Sequence, residues 1–151
     1  MKDTRDPMND LTPESPFYPI SREQILLETP RCVAFFDKYP VSQGHALVVA
    51  KTVTASLFDL PPEVQAEVWD TVRRVWEILL QRFQPEGFNI GINDGPAAGQ
   101  TVPHAHVHLI PRYRHDVADP RGGIRWIIPP KARYWQQNVE KSVTLGRQQR
   151  Q

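Results

Sequence analysis

The chain has 151 residues, enough for one domain with a sizeable core, and its 18 basic and 17 acidic side chains nearly cancel. That balance excludes the general basic field of a duplex nucleic-acid binder, and no acidic tail is present. A single cysteine, Cys32, a polar and charged stretch from Met1 to Asp10, and the lack of any apolar run of membrane-spanning length together lead us to expect a cytoplasmic protein with no membrane partner.

Four of the 15 prolines (Pro7, Pro13, Pro16 and Pro19) fall in the first twenty residues. They mark a flexible arm over 1–14, ahead of a domain over 15–128 and a tail over 129–151 that frays towards its Gln- and Arg-rich end. Ser21-Arg22-Glu23-Gln24 resembles a capping box, while Ile25-Leu26-Leu27 fits an extended segment equally well. Val33–Phe36 reads as a buried strand that ends in the turn residues Asp37-Lys38-Tyr39-Pro40. Ala46–Ala50 is a second strand, entered through Gly44. A long helix follows Pro61-Pro62, with an apolar stripe at Val64, Val68, Val72, Val75, Trp76, Leu79, Leu80 and Phe83, and stops before Pro85 and Gly87. Phe88–Ile92 alternates like a strand, and the loop from Asn93 to Pro103 is rich in Gly and Pro. Strands, one long helix, then strands predict an α+β fold with a mostly antiparallel sheet.

The segment His104-Ala105-His106-Val107-His108-Leu109-Ile110 carries three of the five histidines. In a strand, alternate residues share a face, so three imidazoles point one way while Ala105, Val107 and Leu109 point into a core. Unpartnered polar rings are costly to place there. Three readings compete for them: an imidazole nucleophile attacking phosphorus, a facial zinc site, and a polar strand face that hydrogen-bonds nearby loops. The preceding loop favours phosphate. Gly95 and Gly99 allow close backbone approach and would offer N–H groups to an anion, while Gln100 and Thr101 add uncharged donors and no carboxylate for a metal.

The alternation from His104 to Ile110, followed by Pro111-Arg112, resembles the signature of the histidine triad (HIT) family, His-φ-His-φ-His-φ-φ with φ apolar. Gly44-His45-Ala46-Leu47-Val48-Val49 is similar to the family's Gly-His strand, and Asp94–Val102 closely resembles its dinucleoside polyphosphate hydrolases. Asp119–Arg125 resembles a C-terminal element of bacterial stand-alone members. The resemblance implies an antiparallel sheet of five strands with one long helix and a shorter one, the sheet extended across a homodimer. It also implies hydrolysis of a purine nucleotide substrate at its α-phosphate, with His106 as nucleophile. On that reading His104 supports the orientation of His106, and His108 lies near the scissile phosphate. Gln100, which also counts among the catalytic residues, and Thr101 contact phosphate oxygens, Gly99 belongs to the same substrate-binding loop, and His45 completes the cluster. Asp37 matches the position that holds the ribose hydroxyls, Phe35 and Leu47 match the base pocket, and Asn93 matches a polar site near ribose and phosphate.

Many bacterial relatives carry Cys-x-x-Cys near the N-terminus as part of a structural zinc site. Here Ser15-Pro16-Phe17-Tyr18 stands in its place and Val53 replaces a further histidine ligand, so no structural zinc and no resident cofactor are expected beyond a divalent ion carried by substrate phosphates. Plainer roles stand beside these. Asp37 also fits an ordinary turn, Phe35 and Leu47 a core, His45 a buried core histidine, His115 a solvated loop, and Trp69 and Trp76 packing or a dimer face. Arg112, Arg114, Arg121 and Arg125 suit a solvated surface as well as a polyphosphate. A nucleotide-binding module with little turnover, and a hydrolase using the three triad histidines as metal ligands, are the rival functions.

Overall fold

The computed structural model describes residues 11–136. The expected fraying of the tail beyond 136, and most of the arm over 1–14, lie outside the described residues. Two compact units divide after Tyr113.

The first unit holds a five-stranded sheet in the order β1 (Ile25–Glu28), β2 (Cys32–Phe36), β3 (Ala46–Ala50), β5 (His106–Arg112), β4 (Gly87–Gly91), with every pairing antiparallel. Both sequence options near Ser21 are realised in succession. Gln24 Oε1 accepts hydrogen bonds from the Ser21 amide and hydroxyl around a short 3-10 turn, and β1 follows at once. The long helix, α1, runs from Pro62 to Phe83. Its Val64, Val68, Val72, Val75 and Leu79 recur at helical spacing and are buried. Trp76 and Leu80 sit on the edge of the stripe and stay partly exposed, with Trp76 packing on Phe88 at 5.9 Å between centroids. Left-handed Gln84 ends the helix, donating its N–H to the Leu80 carbonyl, one residue ahead of the expected proline stop.

Strand alternation divides the interior into two layers. Cys32, Ala34, Val48, Ala50, Val107 and Leu109 pack with α1. Val33, Phe35, Leu47 and Val49 form a second cluster on the opposite face, joined by Leu11 and Ile20 from the N-terminal segment. β3 serves both layers and is buried along its whole length. At one end of the sheet, Glu67 on α1 ties down the β1–β2 turn. Its Oε1 accepts from Thr29 Oγ1 at 2.7 Å and Arg31 N at 2.9 Å, and its Oε2 from Arg31 Nε at 2.6 Å.

The second unit begins at Arg114 and contains a 3-10 turn (Gly123–Ile127) and a four-residue helix α2 (Pro129–Ala132). Arg121 pairs with Asp119 and lies 4.5 Å above the Trp135 ring. Arg125 donates to the Lys131 carbonyl and covers Tyr134. Both arginines are therefore engaged within their own unit. No helix among the described residues is long and apolar enough to cross a membrane.

Gly44 enters β3 with φ +86°, and a Cβ there would meet Phe83 Cδ2 at 2.8 Å. Gly44→Ala therefore combines backbone strain with a clash and should lower stability by roughly 1–3 kcal/mol. Urea unfolding checks this; an unchanged midpoint would contradict the close packing of Gly44 on the end of α1.

Candidate active site

Register assembles the site. Phe35 pairs with Leu47, and Leu47 pairs with His108, so three strands contribute one row of side chains to the face away from α1. The parallel row is Val33, Val49 and His106. Apolar walls thus stand directly beside the imidazoles. A cavity of about 560 Å³ opens on this face. It is lined by Phe35, Asp37, Leu47, Asn93, Gly99, Gln100, Thr101, His106 and His108, which brings together every expected substrate-contacting residue and two of the three triad histidines.

His104 and His45 lie behind that wall, 1% and 3% exposed. The expected histidine strand begins at His106, two residues later than its sequence pattern suggests. The carbonyl of His104 leaves the ladder to accept a hydrogen bond from His106 Nδ1 at 2.8 Å, and the Ala105 N–H turns to the Thr54 carbonyl. From His106 onward the expected alternation holds, with Val107, Leu109 and Pro111 buried.

Proton positions follow from the partners, because a carbonyl only accepts and a backbone amide only donates. His106 carries its proton on Nδ1, so the Nε2 lone pair is free. His104 donates from Nε2 to the Ala50 carbonyl at 2.7 Å, leaving Nδ1 to meet Ser15 Oγ at 2.7 Å. The Val41 amide donates to His45 Nδ1, so His45 Nε2 is the protonated nitrogen and donates to His108 Nδ1 at 3.0 Å. His108 then carries its remaining proton on Nε2.

Burial pushes His45, His104 and His108 below the usual imidazole value, His108 to about 4. All three are neutral near pH 7. The 3.5 Å approach of His45 Nε2 to Asp37 Oδ2 is accordingly a polar contact between a neutral ring and a carboxylate. Asp37 Oδ1 accepts from the Tyr39 amide at 2.8 Å, so the same residue shapes a turn and faces the cavity.

Asp37, His45 and His108 bring three ligand-type atoms within 4.8 Å of one another. Their bonding does not suit a metal ion. With the Val41 N–H aimed at Nδ1, His45 has no lone pair at Nε2 to give. At Ser15–Tyr18, which carries no thiol, the polar groups are likewise engaged. Ser15 and His104 are bonded to each other, the second ring nitrogen of His104 is taken by Ala50, and Cys32 packs on the α1 face.

The loop ahead of β5 differs from its expected form. Gly95 and Gly99 do adopt positive φ, but the Gly95 N–H donates to Gln100 Oε1 and the Gly99 N–H to the Pro96 carbonyl. Gln100 Nε2 donates to the carbonyls of Ala55 and Val102. In this structure Gln100 braces the loop with both ends of its amide.

Phe17 was not legible as a site residue in the sequence. Its ring stands 5.2 Å from His106, edge-on at 80°, and 5.4 Å from Phe35. An aromatic between Pro16 and Tyr18-Pro19 offered no periodic signal, because this segment is neither helix nor strand.

Between pH 6.5 and about 4 the unfolded chain binds a proton at His108 that the folded chain does not. Folding stability therefore rises with pH across that window and is lost as pH falls through it. His45 and His104 act in the same direction. Urea midpoints measured from pH 7 to pH 4 should decline steadily, and a flat profile would show that these rings are not held neutral.

A family model described as HIT domain matches residues 20–115. The chain is 38% identical over 96 residues to a bis(5'-nucleosyl)-tetraphosphatase (asymmetrical) of Schizosaccharomyces pombe, across 64% of this chain and 53% of that one. It is 34% identical over 97 residues to a bis(5'-adenosyl)-triphosphatase of Dictyostelium discoideum, across 64% and 65% of the two chains. It thus spans between about half and two thirds of these relatives' lengths. Among solved structures, the C. elegans NitFhit protein superposes with a TM-score of 0.62 at 33% identity, across 75% of this chain and 26% of that one. The match over 20–115 takes in the sheet, α1 and all three triad histidines, and the chain belongs to the HIT domain family.

Proposed function

We propose that this chain is a nucleotide hydrolase. It cleaves at the α-phosphate of dinucleoside polyphosphates or nucleoside phosphoramidates through a covalent nucleotidyl group on His106. The observation that carries this reading is the bond from His106 Nδ1 to the His104 carbonyl, which leaves the Nε2 lone pair on a cavity wall. The names of the relatives support the substrate class.

In the first step, His106 Nε2 attacks the α-phosphorus, a P–N bond forms, and the bond to the leaving group breaks. The modified ring is cationic, and the His104 carbonyl stabilises the positive charge through the Nδ1–H. His108, neutral with its proton on Nε2, donates a hydrogen bond to a phosphoryl oxygen or to the bridging leaving-group atom. That atom is oxygen in a polyphosphate, departing as the anion, and nitrogen in a phosphoramidate, departing as an amine that has taken up a proton. Water then attacks phosphorus, the P–N bond breaks, a proton from the water passes to solvent, and a nucleoside monophosphate departs with the His106 lone pair restored. Asp37 suits the ribose hydroxyls, and Phe35 and Leu47 the purine. Apolar walls of this kind discriminate weakly among bases. Gly99, Thr101 and Asn93 border the phosphates, and Gln100 acts by holding their loop. No resident metal or cofactor enters this scheme; a divalent ion travels with the substrate phosphates. A homodimer fits edge strand β4, whose Ile90 is exposed like Trp69 and Trp76 on α1. A cytoplasmic location suits a buried free thiol and nucleotide substrates.

Intact-protein mass spectrometry after brief mixing with diadenosine triphosphate tests the reading. Wild type should gain one acid-labile nucleotidyl group. His106→Ala should gain none and lose kcat by roughly a thousandfold or more, while still binding nucleotide. An active His106→Ala would overturn it. Binding without adduct or turnover in wild type, across several leaving groups, would favour a binding module.

A further inference from the structure

We propose that Ser15, five residues ahead of the matched region 20–115, is a positioning residue that sets the tautomer of His106 by pinning His104. The inference rests on the nucleotidyl-His106 reading for its effect on rate; its structural half does not.

The segment that carries Ser15 is built into the fold. Leu11 is 3% exposed and Ile20 6% exposed, both within the cluster on the cavity side of the sheet. The Ser15 amide donates to the Thr12 carbonyl, and the Tyr18 amide donates to the Ser15 carbonyl. Ser15 itself is 2% exposed and is not a lining residue of the cavity, so its hydroxyl acts from behind the wall.

Its hydroxyl has one arrangement that satisfies every neighbour. Ala50 O fixes the His104 proton on Nε2, so Nδ1 is an acceptor. Ser15 O–H donates to that nitrogen at 2.7 Å, and its oxygen accepts the Phe17 N–H at 3.2 Å. The His104 ring is thereby held at both nitrogens, by the N-terminal segment on one side and β3 on the other. The bond matters because the His104 carbonyl lies outside the β-ladder: its peptide plane is held on one side by the Ala105 N–H on the Thr54 carbonyl and on the other by the His104 ring that Ser15 and Ala50 anchor. That carbonyl is the acceptor that keeps the His106 proton on Nδ1. Ser15 thus reaches His106 through two hydrogen bonds and one residue of backbone. The same serine hydroxyl orients the Phe17 amide, and Phe17 meets the edge of His106.

A purely structural serine would lower stability and leave the surviving folded protein with normal catalysis. A positioning serine predicts a different split. Ser15→Ala should lower kcat by roughly ten- to a hundredfold, the range for residues that orient a functional imidazole, with KM essentially unchanged. Ser15→Cys keeps the shape with a weaker donor and should fall between, which preserves the test if Ser15→Ala does not fold. Long-range ¹H–¹⁵N spectra of the free protein give the second readout. Wild-type His106 should be the Nδ1–H tautomer, and the variants should show a growing Nε2–H fraction in the order of their kcat loss. An unchanged tautomer, or unchanged kcat in folded Ser15→Ala, would overturn the proposal. If wild type turns over no dinucleoside polyphosphate yet the tautomer shifts in the variants, the hydrolase reading fails and the positioning role stands.

Discussion

A neutral imidazole sealed from water must find a donor for one nitrogen and an acceptor for the other, and His104 meets that requirement with atoms from two distant parts of the chain. Meeting it has a geometric result. Both ring nitrogens are spent on structure, so the histidine that opens the triad contributes its main chain to the site rather than its ring. The second histidine receives a fixed carbonyl partner, and the third receives a fixed donor from His45. Each ring in the cluster has one nitrogen assigned by a neighbour, and for His106 and His108 the other is left towards the cavity.

The sheet makes this affordable because its two faces do different work. On the α1 side, small and branched side chains of β2, β3 and β5 pack against a valine-rich stripe. That layer supplies most of the apolar burial, which leaves the opposite face free to hold polar rings in a half-apolar setting. Desolvation there keeps His45, His104 and His108 uncharged near neutral pH, so they add no positive charge around the His106 ring.

Much of this was legible in the sequence, for reasons tied to periodicity. Alternation from His106 to Ile110 tells which side chains share a face, and helical spacing from Val64 to Leu79 locates α1. Periodicity says nothing about which strands are neighbours, so the rows that set Leu47 beside His108 and Val49 beside His106 appeared only in the fold. The N-terminal segment, described from Leu11 onward, shows a related limit of periodicity. Leu11 and Ser15 are buried through contacts with residues far along the chain, and the Ser15–His104 bond spans 89 positions. A proline-rich stretch looks like a loose arm until the surface that receives it is known. Gly95 and Gly99 have the conformation that their residue type suggests, while their N–H groups are taken up within the loop. Their positive φ is local and visible, whereas the side chain that claims the Gly95 amide lies five residues on.

The Gln100 brace has a thermodynamic meaning for ligand capture. A loop held by its own amide, with its turns closed by internal bonds, enters the bound state already ordered. Association then loses little backbone entropy at this wall, and the favourable contacts with a ligand are not spent on folding the segment that makes them. Where Gln100 braces it, this wall of the cavity is shaped before a ligand arrives.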